Sequence, residues 1–158
     1  FEALEPPMQE VVRQIVFSLQ TLGFTPVCPF VYADFAPMVN CKFYLLYNYN
    51  NGDAAVIVTI YSPAETINYV EFSTSYQDGT NVNTRNSGQP PTFKHRPNKL
   101  IYDLKEVKDP RELYLAHRAI LERHANTSGT QLPESGKELS SLYFSIIQGC
   151  YLRRRKGS

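Results

Sequence analysis

The sequence lacks several features that would place it in a familiar class of protein. It has no tryptophan and only two methionines, and no segment approaches the ~20 consecutive apolar residues that a transmembrane helix requires. No apolar core of a secretory leader is visible either. These absences predict a cytoplasmic domain that does not itself cross a membrane.

Cysteine is scarce as well. Cys28, Cys41 and Cys150 are widely spaced, and no CxxC pair occurs. An odd number of cysteines at such spacing fits neither a disulfide framework nor a zinc site. We therefore expect buried thiols in a reducing compartment. One long-range disulfide with a spare thiol is the alternative.

The net charge is small, and the sequence lacks the usual motifs of cofactor binding. The formal charge is +1, so no overall field favours duplex nucleic acid. There is no glycine-rich phosphate loop, and we predict no cofactor. His117 and His124 lie two helical turns apart, roughly 10 Å, which is too far for both to bind one metal ion. No metal site is predicted.

Tyrosine and phenylalanine are plentiful, with 11 and 9 residues, and both favour sheet surfaces. An apolar stripe at helical spacing follows Pro6 and Pro7 and ends at Gly23. It consists of Met8, Val11, Val12, Ile15, Leu19 and Leu22. The pattern then becomes that of strands. The predicted strands are 24–32 (an irregular or edge strand), 42–48, 54–61, 67–76 and 80–85, with a short last strand at 100–102.

Turn residues connect these segments. Asn51-Gly52 and Asp78-Gly79 predict hairpins, and a proline-rich crossing at 86–99 precedes the last strand. Asp109-Pro110 begins one C-terminal helix, and the capping box 135–138 begins another that ends at Gly149. The prediction is a two-layer α+β domain at residues 1–152. It has an antiparallel sheet of about five strands, an N-terminal helix and two C-terminal helices.

Candidate ligand contacts lie at and near the proline-rich crossing. If the crossing folds over the sheet, Arg85, His95 and Arg96 would frame an anion-binding pocket, and Lys94 is a further candidate ligand contact. A solvated surface cluster is the alternative interpretation. No residue is assigned a catalytic role. The remaining catalytic hypothesis is a small hydrolase that uses His95 or His117 as its base.

A basic tail occupies residues 153–158, where Arg153, Arg154, Arg155 and Lys156 are consecutive. Such clusters beside a membrane segment attract anionic lipid. The run also suits a frayed helix end whose cations complement the helix dipole. Both interpretations remain open, and the first predicts that the domain belongs to a longer protein at the inner face of a membrane.

One resemblance covers the chain from the first helix to its end. It rests on the hairpin 72–80, Thr84, Asn86, the proline-rich crossing, Leu113, His117 and residues 149–151. In these features the chain resembles a family of bacterial membrane-associated domains that lie next to a transmembrane segment. The resemblance implies a membrane-proximal setting, and it implies no activity, cofactor or catalytic residue.

The sequence therefore predicts a binding or sensory module, cytoplasmic and membrane-proximal. Its expected partners are a protein or small-molecule ligand of unknown identity and an anionic membrane surface. A small hydrolase and a nucleotide or cyclic-nucleotide binding domain are the two alternatives. In the last of these, Arg85, Lys94 and Arg96 would hold the phosphate.

Overall fold

The computed structural model describes residues 6–36, 39–76, 78–88 and 98–128 of the protein, with side chains for 9–27, 39–76, 78–88 and 98–125. Two helices enclose six strands in chain order. The elements are α1 (Pro6–Thr21), β1 (Thr25–Ala36), β2 (Val39–Tyr47), β3 (Ala54–Tyr61), β4 (Thr66–Ser75), β5 (Asn81–Arg85), β6 (Lys99–Asp103) and α2 (Pro110–Ser128). The α+β class is confirmed.

The six strands form one sheet in the order β1-β2-β3-β4-β5-β6. The first four pairings are antiparallel, and β5 pairs with β6 in parallel. The expectation of about five strands, all antiparallel, was therefore wrong in detail. Residues 86–98 explain the difference, because a connection of about a dozen residues is long enough to return the chain to the starting end of β5.

The helix ends and hairpin turns form at the residues where the sequence predicts them. Gly23 has φ of 94°, and the N–H of Phe24 bonds the carbonyl of Leu19 at 3.1 Å, which ends α1 in a Schellman motif. Gly52 and Gly79 have φ of 78° and 84° in the two predicted hairpin turns. The side chain of Asp109 caps α2 by accepting from the Arg111 N–H at 3.0 Å.

Both helices pack on one face of the sheet, called here the helix-covered face. Val12 and Leu19 of α1 and Leu113 of α2 are fully buried there against Phe72 of β4 and neighbouring apolar side chains. Val11, which the helical stripe includes, is 40% exposed instead. It lies about 100° around the helix from Val12, at the border of the stripe.

The opposite face of the sheet divides into two halves. Across β2, β3 and β4 it is apolar and buried, with Cys41 present as a buried thiol. None of the described side chains of α1 or α2 belongs to that apolar cluster. From Glu71 of β4 across β5 and β6 the same face is mainly polar, with Ile101 as an apolar member. The predicted third helix, the proline-rich crossing at 89–97 and the basic tail lie outside the described residues.

Candidate functional site

A buried carboxylate is the centre of a connected cluster of polar side chains in the described structure. Asp53 follows the β2–β3 turn, where its carbonyl accepts from the Asn48 N–H at 2.8 Å and its own N–H donates to Asn51 Oδ1 at 3.1 Å. These bonds and the positive φ of Gly52 direct the chain into β3. Asp53 is 0% exposed as a result, so its carboxylate depends on hydrogen bonds from the protein.

Among the described residues, Thr74, Tyr114 and Arg118 bond to this carboxylate. Thr74 Oγ1 donates to Asp53 Oδ1 at 2.7 Å, and the Tyr114 hydroxyl donates to Oδ2 at 2.7 Å. Arg118 Nη1 lies 3.0 Å from the same Oδ2, and its side chain is 41% exposed. Asn51 Nδ2 donates in turn to the Tyr114 oxygen at 2.7 Å. The carboxylate is therefore paired with one cation that reaches it from the protein surface.

His117 continues the cluster between two strands. Its Nε2 lies 2.9 Å from Thr74 Oγ1, and its Nδ1 lies 2.8 Å from Thr84 Oγ1. A threonine hydroxyl has one hydrogen, and that of Thr74 goes to the carboxylate, which can only accept. Thr74 must therefore accept from His117 Nε2–H. In the neutral imidazole, Nδ1 is then an acceptor, and Thr84 donates to it.

The neutral form of His117 is the one that its surroundings favour. The ring is 0% exposed and packs beside those of Phe72 and Tyr114, at centroid distances of 5.9 and 6.4 Å. Burial lowers the pKa of His117 to about 4, a shift that the negative charge of Asp53 opposes and that Arg118 reinforces. Burial also raises the pKa of Tyr114, with the charge of Asp53 adding to the effect.

The result is a continuous path of hydrogen bonds from Thr84 through His117 and Thr74 to Asp53. A hydroxyl, an imidazole and a carboxylate are the components of a hydrolase relay. Here, however, none of the four residues is more than 1% exposed. The path connects α2 to β4, to β5 and to the start of β3. The geometry most directly provides four hydrogen-bonded polar side chains that hold α2 against the sheet. These four residues are called here the polar clamp.

A second group of polar residues, the polar array, lies on the opposite face across β4, β5 and β6. Its members are Glu71, Ser73, Asn81, Asn83, Arg85, Lys99 and Asp103. Asn81 Nδ2 donates to the hydroxyls of Ser73 and Ser75 at 3.1 and 2.9 Å. The register, which sets Glu71 beside Arg85 and Arg85 beside Asp103, brings these side chains together on one face.

Ion pairs connect β6 to the other two strands of the polar array. Arg85 Nη2 lies 3.1 Å from Asp103 Oδ2, and Lys99 Nζ lies 3.8 Å from Glu71 Oε1. Asn83 is 1% exposed and donates its amide to Glu71. The amide oxygen of Asn83 is buried and accepts no hydrogen bond from any described residue. Such an acceptor costs about 1–3 kcal/mol when it is left unsatisfied.

The predicted ligand contacts are only partly described. Arg85 lies in the polar array at 5% exposure with Asp103 as its counter-ion. Lys94, His95 and Arg96 lie outside the described residues, as do Arg153, Arg154, Arg155 and Lys156. Gly88 N–H donates to Asp103 Oδ1 at 3.1 Å, so the chain that leaves β5 toward the crossing begins beside Arg85 and Asp103.

Comparison with known proteins identifies no relative. No protein-family model matches the chain, and no match is found among curated proteins or among solved structures. Neither described helix is long and apolar enough to cross a membrane. Among the described residues, no three His, Cys, Asp or Glu side chains form a group that could hold a metal ion. The resemblance to bacterial membrane-associated domains stays a prediction.

Sequence reasoning missed Asp53, Tyr114 and Arg118 as members of the buried cluster. One usable signal was present on α2, where Tyr114, His117 and Arg118 are spaced i, i+3 and i+4 and therefore share a side of the helix. Their side overlaps the apolar stripe that contains Leu113. Three polar groups beside a core-facing stripe indicate a buried polar partner on the sheet.

Proposed function

We propose that this domain is a binding or sensory module that takes a polar ligand or a protein partner on the polar array. The observation that carries the proposal is Asn83, whose buried amide oxygen has no donor among the described residues. A protein that leaves such an acceptor unsatisfied retains hydrogen-bonding capacity at that position. Asn83 is 1% exposed, so a ligand hydroxyl or N–H group would reach that oxygen by displacing the side chains that cover it.

The surroundings of Asn83 favour a ligand of low net charge. Arg85 and Asp103 form one ion pair, and Lys99 and Glu71 form another. Each cation in the array therefore has an anion beside it, so a phosphate would have to compete with a carboxylate for Arg85. This arrangement supports neutral or zwitterionic ligands more than nucleotides.

A thermal-shift screen of the whole 158-residue chain tests the proposal. The panel contains nucleosides, cyclic nucleotides, sugars, amino acids and phospholipid headgroups. A ligand at a hundred times its Kd should stabilise the fold by about 2.7 kcal/mol. Asn83→Leu, which removes the amide at similar size, should abolish that shift. Asn50→Leu on the exposed β2–β3 turn is the matched control and should keep it. A shift that persists in Asn83→Leu would contradict the assigned site, and silence across the panel would contradict a small-molecule ligand.

The membrane-proximal part of the proposal rests on the basic run Arg153–Lys156 alone. The full chain and a chain that ends at Leu152 are compared for binding to vesicles of phosphatidylcholine with phosphatidylglycerol. Removal of four cations should weaken binding to these vesicles, with little change for pure phosphatidylcholine. Equal binding by the two chains would refute a membrane role for the tail.

A hydrolase is the second candidate, and the hydrogen-bond path from Thr84 to Asp53 is the observation that favours it. The burial of Thr84 weighs against it, because a substrate would have to reach a hydroxyl that is 0% exposed. A fluorophosphonate probe distinguishes the two functions. Covalent labelling at Thr84, lost in His117→Gln, would establish a nucleophile, whereas absence of labelling favours the binding module.

A further inference from the structure

The strand β6 forms an edge of the described sheet. Its sole strand neighbour among the described residues is β5. The parallel ladder uses the Asn98 carbonyl, which accepts from Asn81 N–H at 2.9 Å, and the Leu104 N–H, which donates to the Arg85 carbonyl at 2.7 Å. Peptide groups alternate in direction along a strand, so the even-numbered residues of β6 face β5. Lys99, Ile101 and Asp103 therefore direct their N–H and C=O groups away from β5.

The sequence of β6 is complementary to itself. Lys99-Leu-Ile-Tyr-Asp103 begins with a cation and ends with an anion. When a second copy is placed antiparallel about a two-fold axis at Ile101, Lys99 lies opposite Asp103, and Leu100 lies opposite Tyr102. Closed homodimers have this isologous form, in which the same patch on both copies makes the contact.

From this pattern we propose that β6 pairs antiparallel with β6 of a second copy of the chain, so that the two sheets become one continuous sheet. In the register centred on Ile101, the three residues with outward-directed peptide groups become the hydrogen-bonded pairs of the new ladder. The ladder contains about six inter-chain hydrogen bonds. Neither the ligand nor the membrane setting proposed above is needed for this pairing.

The side chains of β6 fit the same register on both faces. On the helix-covered face, Leu100 and Tyr102 are 37% and 41% exposed, and the partner strand would cover both. On the opposite face, Lys99 already neighbours Glu71, and Asp103 already neighbours Arg85. Pairing would join these ion pairs across the two-fold axis, from Glu71 and Lys99 of one copy to Asp103 and Arg85 of the other.

Other registers lose this fit. The register of the two strands can shift only in steps of two residues. A shift of one residue would place outward-directed peptide groups of one strand opposite peptide groups of the partner that point away from it. One such shift places Lys99 opposite Lys105, and the other places it opposite Ile101. The register centred on Ile101 is the one that aligns all five residues and pairs opposite charges at both ends.

Sedimentation equilibrium of the full chain, from about 5 to about 500 µM, measures the association. A five-residue strand pair buries less than the ~800 Å² per partner of a standard interface, so we expect a Kd in the micromolar range or weaker. A chain that stays monomeric over the whole range would overturn the proposal. Such a result would identify Lys99 and Asp103 as charges that protect an edge strand from pairing.

Charge reversal gives the sharper test, because mixing the two variants restores the pairing of opposite charges. Lys99→Glu and Asp103→Lys each place two like-charge contacts in the homodimer, and each should raise Kd about tenfold. In an equimolar mixture, the Lys99→Glu chain meets the Asp103→Lys chain with opposite charges at both ends, so heterodimers should form at close to the wild-type Kd. A mixture that associates no better than its components would overturn the proposal. Circular dichroism of each variant is recorded first, so that the comparison is made between folded chains.

Ile101→Pro tests the backbone ladder independently. The Ile101 N–H points away from β5, so proline removes no hydrogen bond among the described residues but blocks the central bonds of the dimer. We expect loss of association with retained circular dichroism, whereas Ile101→Val should leave Kd within about twofold of wild type. A proline variant that is folded and still dimeric would place the interface elsewhere.

Discussion

The buried imidazole of His117 predicts a specific dependence of stability on pH. Folding lowers the pKa of His117 from 6.5 to about 4, chiefly because burial disfavours the imidazolium. Between these two values the unfolded chain binds a proton that the folded chain does not. The free energy of unfolding should therefore fall as the pH drops through 6.5 and level off near pH 4. A difference of about 2.5 pH units corresponds to about 3 kcal/mol.

Removing the titratable ring isolates this contribution from that of the carboxylates. His117→Gln keeps an N–H donor but leaves the Thr84 hydroxyl without its acceptor and loses contact with Phe72, so it should cost about 2 kcal/mol at pH 7.5. As the pH is lowered to 4, the wild-type protein should lose about 3 kcal/mol relative to the variant. The two stability curves should therefore converge and cross.

Urea unfolding followed by circular dichroism, repeated from pH 7.5 to pH 4, measures both curves. Thr84→Val is the matched control, because it removes one hydrogen bond of His117 and retains the imidazole. Its curve should lie below that of the wild type and stay parallel to it. If the His117→Gln curve also runs parallel to the wild type, then protonation of His117 is not coupled to folding, and the assignment of a buried neutral imidazole is refuted.

Two further substitutions test the surroundings of the Asp53 carboxylate. Thr74→Val preserves shape but removes the hydroxyl that donates to Asp53 and accepts from the imidazole. Urea unfolding should show that the free energy of unfolding falls by about 3 kcal/mol. A decrease below about 1 kcal/mol would contradict the bonding assigned to Thr74. Arg118→Met removes the cation beside the buried carboxylate and should cost about 2 kcal/mol in the same assay, less than for a fully buried pair because the Arg118 side chain is 41% exposed. Arg118→Lys should recover part of that loss, and equal losses in the two variants would show that charge is not what Arg118 contributes.

The features that the sequence predicts well are those set by neighbouring residues. The end of α1 at Gly23 follows from a glycine that adopts positive φ, and the start of α2 follows from Asp109 and its capped N–H groups. Successive residues of β4 lie on opposite faces of the sheet, as the period of a strand requires, with Phe72 buried under the helices and Tyr69 in the opposite cluster. Each of these depends on contacts within a few residues or on a period of two, which a single sequence displays directly.

Whether β6 pairs with β5 in parallel or antiparallel could not be predicted from the residues of β6 alone. Lys99–Asp103 has the composition of a short strand in either orientation. What decides the pairing is where the chain re-enters the sheet after residues 86–98, and this depends on the path of the connection. The length of that connection was a usable signal, because a hairpin needs far fewer residues than a parallel crossover does.

The buried cluster was harder to predict because each member has an ordinary local explanation. Threonine suits a strand at Thr74 and Thr84, and an acidic residue after Asn51-Gly52 suits a turn at Asp53. The contacts that give these residues a joint role span long stretches of chain, 65 residues in the case of Asp53 and Arg118. Only the fold brings neighbouring members of the cluster within about 3 Å of each other.

The two adjacent residues at the end of β5 connect the two sites physically. Thr84 points to the helix-covered face and donates to His117, while Arg85 points to the opposite face and pairs with Asp103. The polar clamp on α2 thus fixes the strand on which β6 is aligned, with Thr84 beside Tyr102 and Arg85 beside Asp103 in the register. A rigid neighbour reduces the conformational entropy that an edge strand loses when it acquires a partner. Weakening the clamp through Thr84→Val should therefore weaken association of β6 as well, even though Thr84 would make no contact with a second copy.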